Sequence, residues 1–109
     1  MLATLLLVFR EVLEAALIAG LCAEGADVLI HDAQYTDTEY LDHVGWGHSS
    51  VSHAVSFGKM TEVGRLIMFH HDPLHSDDDL DAHQARAHEL WQGNGTRPEL
   101  AFEGMQLKV

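Results

Sequence analysis

Ala26-Asp-Val-Leu-Ile-His31, followed at once by Asp32, is the stretch on which the fold turns. The run is short, apolar and rich in β-formers, and it opens after Gly25, so it reads as a buried strand. Residues 33–47 then carry Asp, Thr, Gly and aromatic side chains without a period, which reads as a loop. Ser49 or Ser50 can cap a helix running to about Glu62, with Val51, Ala54, Val55 and Gly58 on one face. Gly64 ends that helix, and Arg65-Leu-Ile-Met-Phe69 is a second apolar strand that Asp72-Pro73 breaks off. Ser76 or Asp77 caps an acidic helix to about Gln92, stopped by Gly93-Asn-Gly95. Residues 99–103 and 105–109 read as two short strands turning at Gly104. Strands joined by crossover helices imply an α/β fold with a parallel sheet.

The first 23 residues differ from the rest. Eighteen are apolar, the exceptions being Thr4, Arg10, Glu11, Glu14 and Gly20, and the segment reads as an apolar helix. It is long enough to span a bilayer. Three charges near its middle disfavour an isolated lipid-facing span, each costing roughly 2.5–3.5 kcal/mol. A span with charges facing an ion path and a buried helix of a soluble protein both fit the composition. A signal peptide fits worse, because there is no basic leading region.

Composition narrows the function classes. With 109 residues the chain has single-domain length, and 47% hydrophobic with 21% charged residues is globular rather than disordered. Six basic against seventeen acidic residues give a net charge of −11, so strong nucleic-acid binding through a basic face is not expected. One cysteine, Cys22, excludes an intramolecular disulfide framework and a Cys-rich zinc site. Nine histidines are the surplus.

Ligands in open α/β sheets collect beyond the carboxyl ends of the strands, and the notable residues fall there. One strand ends at His31-Asp32, the other at His70-His71-Asp72, and His48 immediately precedes a helix N-terminus. Imidazole and carboxylate suit zinc, iron or manganese, and a His paired with an acid can equally move protons. His31 and Asp32 point to opposite strand faces, so at most one serves the site. His43, His53, His83 and His88 read as solvent-facing. His71-x-x-x-His75 looks like a metal pair, but Pro73 forbids the helix that would align it. Asp77-Asp-Asp79 with Asp81 is most simply a helix N-terminus complementing the dipole.

From about Gly25 to Val109 these motifs resemble the carboxy-terminal part of a metallo-β-lactamase-fold hydrolase, in the ribonuclease Z-like and phosphodiesterase branch. Gly25-Ala-Asp-Val-Leu-Ile-His-Asp-Ala33 resembles that branch's strand ending in His-Glu-Ala-Thr, with Asp32 in the acidic place and Gln34 where Thr is usual. Gly47-His48-Ser49-Ser50 resembles its His-Ser-Thr motif, and Arg65-Leu-Ile-Met-Phe-His70 the strand delivering its last metal-binding histidine. The resemblance implies that His70 ligates a divalent metal, zinc foremost with manganese or iron as alternatives. His48 would assist leaving-group protonation, and Asp32 would orient it. The implied substrate is a small-molecule ester or phosphodiester. The family's main ligand motif, His-x-His-x-Asp-His, does not occur in this chain. One ligand cannot hold a catalytic metal pair, so the chain alone is expected to be inactive.

Met1-Leu-Ala-Thr-Leu-Leu-Leu-Val-Phe-Arg10-Glu-Val-Leu-Glu14-Ala-Ala-Leu-Ile-Ala-Gly20 resembles something else, the first transmembrane helix of the iron permease family. Arg10, Glu11 and Glu14 match that family's Arg-Glu-x-x-Glu motif. The expected organisation is therefore an iron-permease-like apolar helix over 1–23 and a partial metallo-β-lactamase-like unit (strand-helix-strand-helix-strand-strand) over 24–109. The leading expectation is a truncated or rearranged gene product, a cytoplasmic fragment of a metal-dependent hydrolase. The rival is a membrane-associated metal- or iron-handling protein using Arg10, Glu11 and Glu14. A half-sheet leaves an apolar face and an edge to cover, so self-association is also expected.

Overall fold

A computed structural model describes residues 5–8, 21–92 and 96–109 of the chain. Four strands form one parallel sheet in sequence order: β1 (Leu5–Val8), β2 (Val28–Asp32), β3 (Arg65–Phe69) and β4 (Glu99–Leu100). A short helix, α1 (Asp37–Tyr40), follows β2. The helices α2 (Val51–Met60) and α3 (Asp77–Trp91) form the crossovers into β3 and β4. Parallel neighbours require such crossovers, and both helices pack on one face of the sheet.

Strand periodicity divides the core. Leu29 on β2 and Leu66 and Met68 on β3 meet Val51, Ala54 and Val55 of α2 and Ala87 and Trp91 of α3. On the other face Val28 and Ile67 are each only 2% exposed, so the sheet is not bare at these positions, contrary to the expected open face. Gly58 lets α2 sit close, with 3.4 Å from its Cβ position to side-chain carbons of Leu66 and Trp91. Gly64 is required by contact rather than by dihedral. A Cβ there would stand 2.8 Å from the Asp27 carbonyl oxygen, while the Gly64 N–H donates to the Ala26 carbonyl at 2.8 Å.

The long helices begin where the serines predicted. Ser50 caps α2 by accepting from the His53 N–H, and Ser76 caps α3 by accepting from the Asp79 N–H. Asp77, Asp78 and Asp79 fill the first turn of α3, where backbone N–H groups favour negative charge. The Ser76 backbone N–H and hydroxyl both donate to Asp79, which holds its carboxyl below the ordinary 3.8.

Several expectations change. Leu5–Val8 lies in the stretch read as an apolar helix over 1–23, yet it forms β1 and pairs in register with Val28–His31. A short unbroken apolar run has no period to separate helix from strand, and pairing with β2 satisfies that strand's edge. Residues 21–23 are helical, whereas Arg10, Glu11 and Glu14 lie outside the described residues. Among the described residues no helix is long and apolar enough to cross a membrane. The loop expected over 33–47 contains α1, which Thr36 and Glu39 close with a reciprocal capping box. Gln92, in the left-handed conformation, is the C-cap of α3, and the expected Gly93-Asn-Gly95 stop lies outside the described residues. The strand expected over 99–103 is only Glu99–Leu100, and 105–109 are not a strand. Pairing ends where the His71 ring takes the Ala101 carbonyl at 2.9 Å and Gly104 turns the chain at φ 81°.

Candidate metal and acid–base site

Register brings the site together. Asp32 pairs with Phe69, so the chain leaving β3 presents His70 beside the end of β2. The loop after β2 returns to the N-terminus of α2, pinned by a bridge between Tyr35 and Ser50, and this delivers His48 and Ser49 to the same point. The three expected site residues, Asp32, His48 and His70, offer ligand atoms that all lie within 4.8 Å of one another.

Asp32 is the centre. Its side chain is fully buried, and one carboxylate oxygen accepts the Ser49 backbone N–H at 2.7 Å. The other accepts from His48 Nδ1 at 2.9 Å and stands 3.4 Å from His70 Nδ1. Because a carboxylate accepts, His48 carries a proton on Nδ1 in this bond. The His48 and His70 rings stack, with centroids 4.6 Å apart and planes 7° from parallel. Their side chains are 26% and 45% exposed, so both meet solvent while Asp32 does not.

His70 adopts φ 63°, a left-handed conformation that few non-glycine residues take. Such backbone strain is held at functional sites by surrounding contacts. One contact is the Gln34 side chain, whose Oε1 accepts from His70 Nδ1 at 3.0 Å. Gln34, the departure from the usual Thr, thus orients the candidate ligand. His31, as the alternation required, stays out of the cluster: its Nδ1–H donates to the Asp32 carbonyl at 2.6 Å and its ring packs near Phe57.

Sequence reasoning passed over Tyr35 and misplaced His83. Tyr35 is 3% exposed, stacks on His43 at 4.5 Å and meets His48 edge-on at 6.2 Å. Burial pushes its phenol up from the ordinary 10.0, and the carboxylates of Asp72, Asp32 and Glu39 add to the shift. Its only signal was an aromatic residue shortly after a strand end. His83, read as solvent-facing, is 4% exposed, because it lies on the face of α3 that carries Ala87 and Trp91 inward. His43, His53 and His88 are half-buried. His71 and His75 do not pair: His71 takes the Ala101 carbonyl, and His75 takes Glu39. A cavity of about 950 Å³ runs between α3 and residues 99–105 and is not lined by Asp32, His48 or His70.

No protein-family model matches the chain. Ribonuclease Z of Shouchella clausii (strain KSM-K16) is 40% identical over 48 residues, which cover 44% of this chain and 15% of that protein. Ribonuclease Z of Thermoplasma acidophilum is 38% identical over 65 residues, covering 59% of this chain and 21% of that protein. The matches therefore span about a fifth or less of these curated relatives. The crystal structure of the metallo-β-lactamase fold protein YhfI from Bacillus subtilis aligns with a TM-score of 0.70 at 19% identity, over 94% of this chain and 39% of that one. The chain carries part of the metallo-β-lactamase fold, and over these segments its sequence is similar to that of ribonuclease Z.

Proposed function

We propose that this chain supplies the proton-donating histidine and one metal-binding histidine of a metal-dependent hydrolase acting on a phosphodiester or related ester. The observation that carries the reading is the buried Asp32 carboxylate, which gathers His48 and Ser49 from one segment and His70 from another. The donor set fits a divalent metal: imidazole with a nearby carboxylate is zinc chemistry first, and manganese or iron chemistry second. A bound cation would supply Lewis-acid polarisation of the phosphoryl group and acidify a water at neutral pH.

The chain's own residues take the remaining roles. His70, its Nδ1–H held by Gln34, presents an imidazole whose orientation is fixed before a metal arrives. His48 is held to Asp32 through its Nδ1–H with Nε2 as its acidic end; doubly protonated, it gives the Nε2 proton to the leaving-group oxygen and is left as the neutral imidazole with its proton on Nδ1. Asp32 touches neither substrate nor metal on this reading; it positions His48 and anchors Ser49 at the start of α2. The sequence has no His-x-His-x-Asp-His run, so a complete metal pair requires ligands from outside these 109 residues.

Two measurements on the purified chain test the reading. Added Zn²⁺ should shift the ring nitrogen resonances of His70, and bis(p-nitrophenyl) phosphate should not be turned over. Unchanged His70 resonances would remove its ligand role. Turnover with Zn²⁺ or Mn²⁺ that His70→Ala abolishes would show that the chain alone completes a site.

A further inference from the structure

Beside the Asp32 site stands a second group of donors on different elements. Glu39 on α1 and Asp72 and His75 on the loop after β3 offer ligand atoms that all lie within 4.8 Å of one another. His75 Nε2 is 2.9 and 3.0 Å from the two Glu39 carboxylate oxygens. The His75 side chain is only 9% exposed, and its Nδ1 is buried without a hydrogen bond. Behind it His83, on α3 and 4% exposed, meets the His75 ring edge-on at 4.6 Å. Neither His83 ring nitrogen has a partner. Buried polar atoms are nearly always satisfied, so two packed imidazoles with three orphaned nitrogens, beside the Glu39 carboxylate that His75 Nε2 meets, demand an explanation.

We propose that Glu39, Asp72 and His75, backed by His83, form a divalent-cation site of the zinc class, distinct from the Asp32–His48–His70 cluster. Mixed imidazole and carboxylate donors select zinc over calcium or magnesium, which prefer oxygen alone. With zinc bonds of about 2.0–2.1 Å, two ligand atoms of a tetrahedral site stand roughly 3.3 Å apart. The His75–Glu39 spacing is already close to that edge. The cation takes the place of the Nε2 proton, and two carboxylates balance its charge. Bound there, the cation ties α1 to the loop that begins at His70. Its role is structural. The reading does not depend on the proposed hydrolase chemistry, since no member of that catalytic group ligates here.

The test begins with chelator-treated full chain, reloaded with Zn²⁺ or Ca²⁺ alone and desalted. Bound metal is counted by elemental analysis, and thermal unfolding is followed with and without the ion. Zinc should bind and raise the melting temperature, and calcium should do neither. His75→Gln and Asp72→Asn should each weaken zinc binding by about tenfold or more and remove the zinc-dependent rise. Asn at 72 can still accept the Leu74 N–H, so that variant should fold, with Glu39→Gln as a further arm. His70→Ala, which removes the ligand proposed for the other cluster, should still bind one zinc per chain and keep the zinc-dependent melting shift. The inference is overturned if His75→Gln and Asp72→Asn behave as wild type. It is equally overturned if His70→Ala alone abolishes zinc binding, which would assign the metal to the Asp32 cluster and leave the hydrolase reading standing. Failure of zinc to bind the wild-type chain at all also ends it.

Discussion

Replacing Asp32 probes the residue on which the site's geometry depends. In Asp32→Ala two charge-assisted hydrogen bonds disappear, from Ser49 N–H at 2.7 Å and His48 Nδ1 at 2.9 Å. Such bonds contribute roughly 1.5–3 kcal/mol each. Ser49 is fully buried, so its N–H is left without an acceptor, at a cost of about 1–3 kcal/mol. His48 is partly exposed and can turn to water, which puts its loss at the low end. Removing the carboxylate also relieves the cost of burying its charge. The net expectation for Asp32→Ala is a destabilisation of about 2–4 kcal/mol, a large share of the roughly 5–15 kcal/mol typical of a domain. Asp32→Asn keeps one oxygen for Ser49 and loses only the His48 bond, so it should cost about 1–2 kcal/mol. Urea unfolding followed by circular dichroism, with chelator present, measures both. If the Ala variant unfolds within about 0.5 kcal/mol of wild type, or the Asn variant is as damaging as Ala, the carboxylate is not the anchor described here.

Three further outcomes follow from local geometry. Gly64→Ala drives a Cβ against the Asp27 carbonyl, backbone that cannot swing aside, and should cost about 1–3 kcal/mol in the same unfolding assay; a neutral result would deny the close approach of the β2 and β3 starts. His70→Gly should be more stable than His70→Ala by about 1 kcal/mol, because only glycine adopts φ 63° without strain, and equal stabilities would contradict that strain. Ser76→Ala should cost about 1 kcal/mol at neutral pH by removing the α3 cap, and should raise the Asp79 titration toward 3.8 as seen by carboxyl NMR. The sign follows from a lowered folded value: the stability that ionised Asp79 contributes is present above 3.8 and is lost as pH falls through its folded value. An Asp79 titration unmoved by Ser76→Ala would show that the hydroxyl bond is not felt.

Much of the fold was legible because local signals agreed. Arg65–Phe69 emerged with its bounds as read, and Ser50 and Ser76 opened α2 and α3, since apolar runs and capping serines fix strands and helix starts without tertiary help. The triad followed from topology: parallel strands in register end at one level, which puts Asp32 and His70 side by side. β1 was hidden because Leu5–Val8 is apolar at every position and only its pairing with β2 distinguishes it from helix. The loop partners were hidden for a different reason. Gln34 on His70, Tyr35 on His43, and Glu39 on His75 join residues brought together by turns that no periodicity encodes. His83 was misjudged because α3 is acidic enough to mask a buried polar position on its inner face.

The central claim is that Asp32, His48 and His70 are the acid–base and ligand residues of a metal-dependent hydrolase. Its most direct measurement is a graft: residues 26–72 of this chain replacing the corresponding segment of Thermoplasma acidophilum ribonuclease Z, assayed for phosphodiester hydrolysis once folding is verified by circular dichroism. The folded chimera should turn over substrate, His70→Ala should abolish metal-dependent activity, and His48→Ala should lower the rate by about 10²–10⁴-fold with metal retained. A folded, metal-loaded chimera whose rate is indifferent to His48→Ala and His70→Ala would contradict the account.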